Sequence, residues 1–314
     1  MKAWQIDQVG AELTQREVPA PTAGPGEVVV SVRASGLCHS DVGYMLGAIP
    51  FAVPLPVTLG HEASGIITEV GPDVTGFAVG DAVASAISPH DAPGVTRDGA
   101  YAEQIIVTAD KLVQLPAGMD WGQAAAATDA GVTSYTGVIV HGGIKAGDRV
   151  GIVGLGGLGM TGARIAVITG ATVYGVEPKT SSHQTALDNG VTEVFTDVEQ
   201  LAGMDLDVVV DFAGFGSTTA GAIRAVKPGG VVVLVGLGVP TWEFNSIDLV
   251  SRFVQLRGST PAGDPAHLQA VIDMMAAGDL TVTAAEIGFD DIADGLERLH
   301  RGEVTGRLVA RFGD

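Results

Sequence analysis

The sequence predicts an α/β protein: a doubly wound parallel sheet, plus a second unit of short antiparallel strands forming a barrel. Three observations predict it. Residues 207–211 (DVVVD) and 230–235 (GVVVLV) are continuously apolar rather than alternating, the pattern of parallel strands covered on both faces. From Asp148 onward strand-like and helix-like segments alternate, which builds a parallel sheet flanked by helices. Before that point, short β-branched runs are punctuated by Gly and Pro, as in antiparallel barrels.

Taken in order, residues 27–32 (EVVVSV) follow the turn signal Gly24-Pro25-Gly26, residues 64–70 (SGIITEV) run into Gly71-Pro72-Asp73, and residues 77–83 continue the strand pattern. The texture changes near Trp121, and residues 123–140 are alanine-rich and helical in pattern. Strands are expected at 149–153 and 172–176, with a helix at 159–169 between them. Residues 266–277 read as a helix, 290–301 as an amphipathic helix, and 305–312 as a closing strand. The parallel-sheet domain, residues 131–261, thus reads as an insertion between residues 1–130 and 262–314.

A length of 314 residues suits two domains. The net charge of −19, from 36 acidic and 17 basic residues, argues against nucleic acid or anionic membrane as a partner. The most apolar stretch, 150–176, is interrupted by Arg164 and several glycines, so no membrane span is expected. The first ten residues lack the apolar core of a secretory signal. With a single cysteine, Cys38, no internal disulfide is possible. A cytoplasmic location is therefore expected.

Gly154-Leu155-Gly156-Gly157-Leu158-Gly159 satisfies G-x-G-x-x-G, and it follows a strand and opens a helix. The first glycine permits a tight turn, the second lets backbone approach a pyrophosphate, and the third packs helix on strand; free N–H groups at the helix start bind the phosphate charge. Glu177 ends the next strand, where an acidic residue binds ribose hydroxyls. Its charge should repel a 2′-phosphate, so NAD(H) is favoured over NADP(H), although Lys179 lies close enough to soften that repulsion. The alternative for Glu177 is a solvated loop carboxylate.

Cys38-His39-Ser40-Asp41 and Gly60-His61-Glu62 supply a thiolate, an imidazole and a hydroxyl. A catalytic zinc takes three protein ligands and keeps one position open. Cys38 and His61 are candidates, and Asp129, a lone charge in an apolar segment, is the best third ligand. The alternative for Asp129 is a helix N-cap, for Ser40 a turn serine, and for His61 a buried structural histidine. His90, His141, His183, His267 and His300 carry no supporting motif and read as surface residues.

The chain resembles the zinc-dependent alcohol dehydrogenase branch of the medium-chain dehydrogenase/reductase superfamily. The matches are GLCHSD, GHEASGIITEVG, VGDAV, DAGVTSYTGV, GLGGLG and TGRLV, spread over nearly the whole sequence. The resemblance implies a GroES-like β-barrel catalytic domain and a Rossmann domain, with the active site in the cleft between them. It places one catalytic zinc per subunit on Cys38, His61 and Asp129, with Glu62 beside it as a transient ligand. Asp41 then orients His61, Ser40 relays the alcohol proton, and Thr133 packs on the nicotinamide ring. It also puts Arg307 and His39 on the coenzyme pyrophosphate, and the backbone of Val235, Gly236 and Leu237 and of 259–261, including Ser259, on the carboxamide. The implied activity is reversible hydride transfer between NAD(H) and an alcohol, ketone or aldehyde, secondary alcohols favoured, in a homodimer or homotetramer.

The sequence departs from the family pattern twice. Residues 87–99 lack the four cysteines of a structural zinc site, and Gly43 stands where a relay histidine often lies. Tyr44 is expected on the cleft wall, and Phe51, Leu55, Trp121 and Leu237 in an apolar substrate pocket. The competing readings are a zinc-free quinone or enone reductase of the same superfamily, and a cofactor-binding protein without turnover.

Overall fold

In the computed structural model, which describes residues 1–313, the chain forms two compact units: Met1–Val132 together with the chain from Pro261 onward, and Thr133–Thr260. Gly131, Val132 and Pro261 thus fall in the first unit rather than the inserted one.

The first unit starts with β1 (Lys2–Ile6), which pairs antiparallel with β2 (Thr14–Glu17) and β4 (Val57–Thr58). The long strand β3 (Glu27–Leu37) is the axis of its larger sheet. One edge of β3 pairs along its length with β5 (Glu62–Val70), which continues to β6 (Ala82–Ser85) and β8 (Leu112–Gln114). Its first half also pairs with β7 (Gln104–Thr108). Valines 28, 30 and 32 alternate with Val29 and Ser31, and pack with Ile67, Val83, Ile105 and Val107 into one core; each fully buried valine contributes about 1.5–3 kcal/mol. The expected strand at 77–83 is shortened to β6. Gly76 and Gly80 both take positive φ, and Asp81 Oδ2 accepts the Ala78 N–H at 2.8 Å, so the residues before Ala82 close a turn.

Helix α1 (His39–Met45) follows β3 directly. The alanine-rich segment begins as α2 (Trp121–Ala126), capped by Asp120, whose side chain accepts the Gln123 N–H. It then widens to a π-helical turn over Ala127–Gly131, and the chain leaves the unit within α3 (Val132–Tyr135).

In the second unit six strands lie parallel in the order β11-β10-β9-β12-β13-β14. They are β9 (Arg149–Val153), β10 (Thr172–Val176), β11 (Glu193–Phe195), β12 (Leu206–Asp211), β13 (Val226–Leu234) and β14 (Gln255–Gly258). The order in which strands are added reverses between β9 and β12, and ligands of such sheets bind outside the carboxyl ends of strands at that point. Helices α4 (Gly157–Ile168), α5 (His183–Asp188), α6 (Ser217–Ala225) and α7 (Ser246–Val250) complete the unit.

The chain returns to the first unit through α8 (Pro265–Ala276), β15 (Ala284–Gly288), α9 (Ile292–His300) and β16 (Arg307–Arg311). Strand β16 pairs antiparallel with the second half of β3, beyond the reach of β7. Ile292, Leu296 and Leu299 form one stripe of α9 and join Leu37, Leu59, Tyr101 and Leu308 in a second core. Among the described residues no helix is long and apolar enough to cross a membrane.

Candidate active site

Cys38 ends the extended run of β3 and serves as the N-cap of α1. Its Sγ accepts the Ser40 N–H at 3.4 Å, while Asp41 Oδ2 accepts the Cys38 N–H at 3.0 Å, a reciprocal cap that fixes the thiol at the helix start. Strand pairing sets Glu62 opposite Gly36. A β-carbon on Gly36 would collide with the Glu62 carboxylate, so glycine here is what admits the acid. His61 immediately precedes that strand, and Asp129 comes from the π-helical turn after α2. An irregular helix of this kind frequently marks a functional site, and here it sets a carboxylate among otherwise buried small residues. The N-cap role considered for Asp129 belongs instead to Asp120.

One donor atom each from Cys38, His61, Glu62 and Asp129 lies within 4.8 Å of all the others, and all four residues are buried. Cys38 Sγ is 3.3 Å, and His61 Nε2 3.8 Å, from Asp129 Oδ2. Ligand atoms sharing a tetrahedral zinc with bonds of about 2.0–2.3 Å lie roughly 3.3–3.6 Å apart, so the donor types and spacing fit such an ion. His61 Nδ1 faces Asp41 Oδ1 at 3.2 Å. When Nδ1–H donates there, Nε2 carries the lone pair toward the cluster.

The electrostatics are those of buried charges that need partners. Arg307, on β16, is buried and pairs with both Glu62 and Asp129; its Nε donates to Glu62 Oε2 at 3.1 Å. Burial pushes the Glu62 carboxyl up to about 7, with Arg307 pulling it down and Asp129 pushing it further up. Burial opposes a charged His61, but Asp41 beside it and hydrogen bonds to Asp129, Asp41 and Cys38 raise its pKa well above the ordinary value. Burial acts to raise Asp41, yet the His61 charge and hydrogen bonds from His61, Tyr101 and the Cys38 N–H hold it below the usual carboxylate range.

Ser40 Oγ lies 3.6 Å from Cys38 Sγ and is half-buried at the edge of the cluster, and His39 is exposed beside it. A β-carbon on Gly43 would come within 2.9 Å of Ile49 Cδ1, so Ile49 occupies the space a larger residue at position 43 would need. Tyr44, expected on a cleft wall, is buried in the second core and stacks on Phe51 at 5.4 Å between ring centroids. Phe51 and Leu55 pack partly buried against the same core, Trp121 is half-buried, and Leu237 is 83% exposed. His141, His183 and His267 are half-buried rather than on the surface; His183 Nε2 sits 2.7 Å from the Glu177 carbonyl.

The glycine loop lies at the carboxyl end of β9, at the switch point of the sheet. Gly154 takes φ +82°, and a β-carbon on Gly159 would collide with the Gly154 carbonyl. A β-carbon on Gly156, by contrast, would meet nothing within 4 Å. The loop is therefore close-packed on its protein side and open at Gly156, with Gly157, Leu158 and Gly159 forming the first turn of α4. Glu177 Oε2 accepts the Leu155 N–H and Oε1 the Lys179 N–H, both at 2.9 Å, so this carboxylate ties the loop to the end of β10. The Val235 and Gly236 N–H groups bond the Asp211 carbonyl. The Ser259 hydroxyl is buried without a hydrogen-bond partner, as a residue awaiting a polar ligand would be. Thr133 is buried at the start of the unit.

Residues 24–117 match the alcohol dehydrogenase GroES-like domain, and residues 157–277 match the zinc-binding dehydrogenase family. An alcohol dehydrogenase of Geobacillus stearothermophilus is 32% identical over 99% of both chains. The chain belongs to the zinc-type alcohol dehydrogenase family of medium-chain dehydrogenases/reductases. Among solved structures of this kind, acetophenone reductase from Geotrichum candidum in complex with NAD superposes with a TM-score of 0.91 at 29% identity, covering 99% of this chain and 97% of that one. The alcohol dehydrogenase of Aeropyrum pernix gives 0.90 at 27% identity, covering 99% and 100%. At the level of the family, this is an alcohol dehydrogenase or carbonyl reductase with a GroES-like and a Rossmann-type unit.

Two features escaped the sequence reading. Arg307, which the resemblance places on a pyrophosphate, is engaged by Glu62 and Asp129; a lone arginine in the apolar run TGRLV was the available signal. Tyr101, whose hydroxyl donates to Asp41, carries no motif at all.

Proposed function

We propose that the protein is a zinc-dependent, NAD(H)-linked alcohol dehydrogenase acting reversibly on alcohols and ketones, with secondary alcohols preferred, as a homodimer or homotetramer. The observation that carries this is the buried quartet Cys38, His61, Glu62 and Asp129 within 4.8 Å. Cys38, His61 and Asp129 would hold the ion, with Glu62 as an alternate donor tethered by Arg307. A zinc ion bound there supplies Lewis acidity that lowers the pKa of an alcohol or polarises a carbonyl. The thiolate and the Asp129 carboxylate offset its charge. Ser40, half-buried beside Cys38, takes the proton of the substrate hydroxyl and passes it outward.

In the second unit the open side of Gly156 and the N–H groups of Gly157, Leu158 and Gly159 would receive the pyrophosphate of NAD(H), the carrier of hydride. Glu177 would accept the ribose hydroxyls through its remaining lone pairs and disfavour a 2′-phosphate. The unpartnered Ser259 hydroxyl and the backbone at Val235, Gly236 and Leu237 would take the carboxamide, and Thr133 the nicotinamide ring. Arg307 and His39 remain proposed pyrophosphate contacts. The relative that reduces acetophenone with NAD bound supports both the coenzyme and a ketone substrate.

The test is a screen of secondary against primary alcohols and matched ketones, with NADH and NADPH, on metal-quantified protein. One zinc per chain, activity lost on chelation and restored by zinc, and higher kcat/KM with NADH are expected. Full activity in metal-free protein, with enone substrates and NADPH, would instead identify a quinone or enone reductase.

A further inference from the structure

The geometry points to Tyr101 as a positioning residue for the metal ligands: its hydroxyl, acting through Asp41, holds His61 and Cys38 in register for the ion. This rests on the metal reading above. Tyr101 is fully buried, and its hydroxyl donates to Asp41 Oδ2 at 2.7 Å. A second acceptor, the Gly36 carbonyl, lies at 3.4 Å, so the single phenolic proton is committed to the carboxylate.

Asp41 is itself completely buried and reaches two of the candidate ligand residues: Oδ1 faces His61 Nδ1 at 3.2 Å, and Oδ2 accepts the Cys38 N–H at 3.0 Å. A carboxylate in such a place is costly unless its lone pairs are filled. The tyrosine supplies one of the three donors and pins Oδ2, so the plane of the carboxylate cannot turn away from the imidazole. Removing the hydroxyl leaves Oδ2 held by the Cys38 N–H alone, which weakens the hold on the carboxylate plane and through it on two ligand residues.

The tyrosine ring does separate work. Gly60, next to His61, has φ +94°, and a β-carbon there would lie 2.6 Å from Tyr101 Cδ1. The Tyr101 N–H bonds the Leu59 carbonyl at 2.9 Å, and the Ala100 N–H bonds the Gly60 carbonyl at 2.7 Å. Phenylalanine at position 101 keeps all of this and deletes only the hydroxyl, so ring and hydroxyl are separable by experiment.

Tyr101→Phe in the full-length, zinc-loaded protein is compared with wild type by the rate of zinc release to excess chromophoric chelator. Release about 3–10-fold faster is expected, less than the roughly 10–100-fold cost of losing Asp41 itself, the direct partner of the ligand, with unchanged far-ultraviolet circular dichroism. A rate equal to wild type overturns the assignment. Adding Tyr101→Phe to Asp41→Asn is expected to change release by no more than about twofold; a full multiplicative effect shows that the tyrosine does not act through Asp41 and overturns it too. Should Tyr101→Phe fail to fold, 4-aminophenylalanine and 4-methylphenylalanine at position 101 fill the same volume with and without a donor. Faster release in the methyl variant alone supports the proposal, and equal rates overturn it. Wild-type protein that takes up no zinc overturns the metal reading along with this one, whereas zinc-binding wild type with unchanged release in the variant overturns this one alone.

Discussion

The buried polar cluster proposed to hold a metal, with the arginine that pairs with it, draws on side chains at positions 38, 61, 62, 129 and 307, from four separate parts of the chain. The glycine loop proposed to receive a pyrophosphate is six consecutive residues, 154–159, and would act through its main chain. The first is an arrangement of buried charges, each dependent on the others: Asp41 on His61, Arg307 on Glu62 and Asp129. The second is an arrangement of space, in which Gly154 takes a positive φ, Gly159 presses on the Gly154 carbonyl, and Gly156 faces open space. The comparison teaches that one site fails when a charge loses its partner, and the other when a methyl group enters the wrong position.

The largest effect expected from breaking this contrast is at Asp129. Asp129→Ala removes a proposed ligand and one of the two acids that neutralise Arg307. Zinc affinity should fall by more than about a hundredfold, beyond the usual cost of an outer partner, and turnover should fall with it while the fold persists. Metal content, turnover and circular dichroism of the variant check this; full activity would remove Asp129 from the ligand set.

Metal uptake should depend on pH with a definite sign. The Asp41 charge and the hydrogen bonds to Asp129, Asp41 and Cys38 favour the protonated form of His61 in the metal-free cluster, so an ion that takes Nε2 has to displace a proton. Affinity should therefore rise by about tenfold per pH unit for each proton displaced, and level off once pH exceeds the raised pKa. Isothermal titration with zinc between about pH 6 and 8, in buffers of different ionisation enthalpy, measures the slope and the protons released. A flat response would show that the metal displaces none.

The smallest effects distinguish two neighbouring glycines. Gly159→Ala puts a β-carbon against the Gly154 carbonyl and should cost about 1–3 kcal/mol of stability by overpacking. Gly156→Ala meets nothing within 4 Å and has negative φ; its stability should stay within about 0.5 kcal/mol while coenzyme binding weakens. Denaturant melts and NADH fluorescence titrations separate the two, and equal destabilisation would show that the space at Gly156 is not kept for a ligand.

Most of the second unit was legible in the sequence. Strands β9 and β10 occupy the residues expected, because continuous apolar runs bounded by glycine turns leave few alternatives. The helix at the glycine loop begins at Gly157 rather than 159, since the low helical preference of glycine hides its start. In the first unit the strand expected at 77–83 gave way to a turn closed by a local carboxylate, a competition that a hydrophobic pattern does not register. The alanine-rich helix was visible, but not its π-helical turn at Ala127–Gly131, because periodicity does not distinguish one residue more per turn in a run of small side chains. Tyr44, expected on a cleft wall, is buried by Phe51 and by core residues far from it in the chain, such as Leu296 and Leu308.

The sequence by itself determined the two folding patterns, the glycine loop and the chemical types of the candidate metal donors, because each is written in local periodicity or in adjacent residues. The tertiary structure alone decided that Arg307 lies between Glu62 and Asp129, that Gly36 makes room for Glu62, and that Tyr101 reaches Asp41. These contacts join residues 26 to 245 positions apart in the chain, through strand register and close packing, and a buried charge accepts whatever partner the fold delivers.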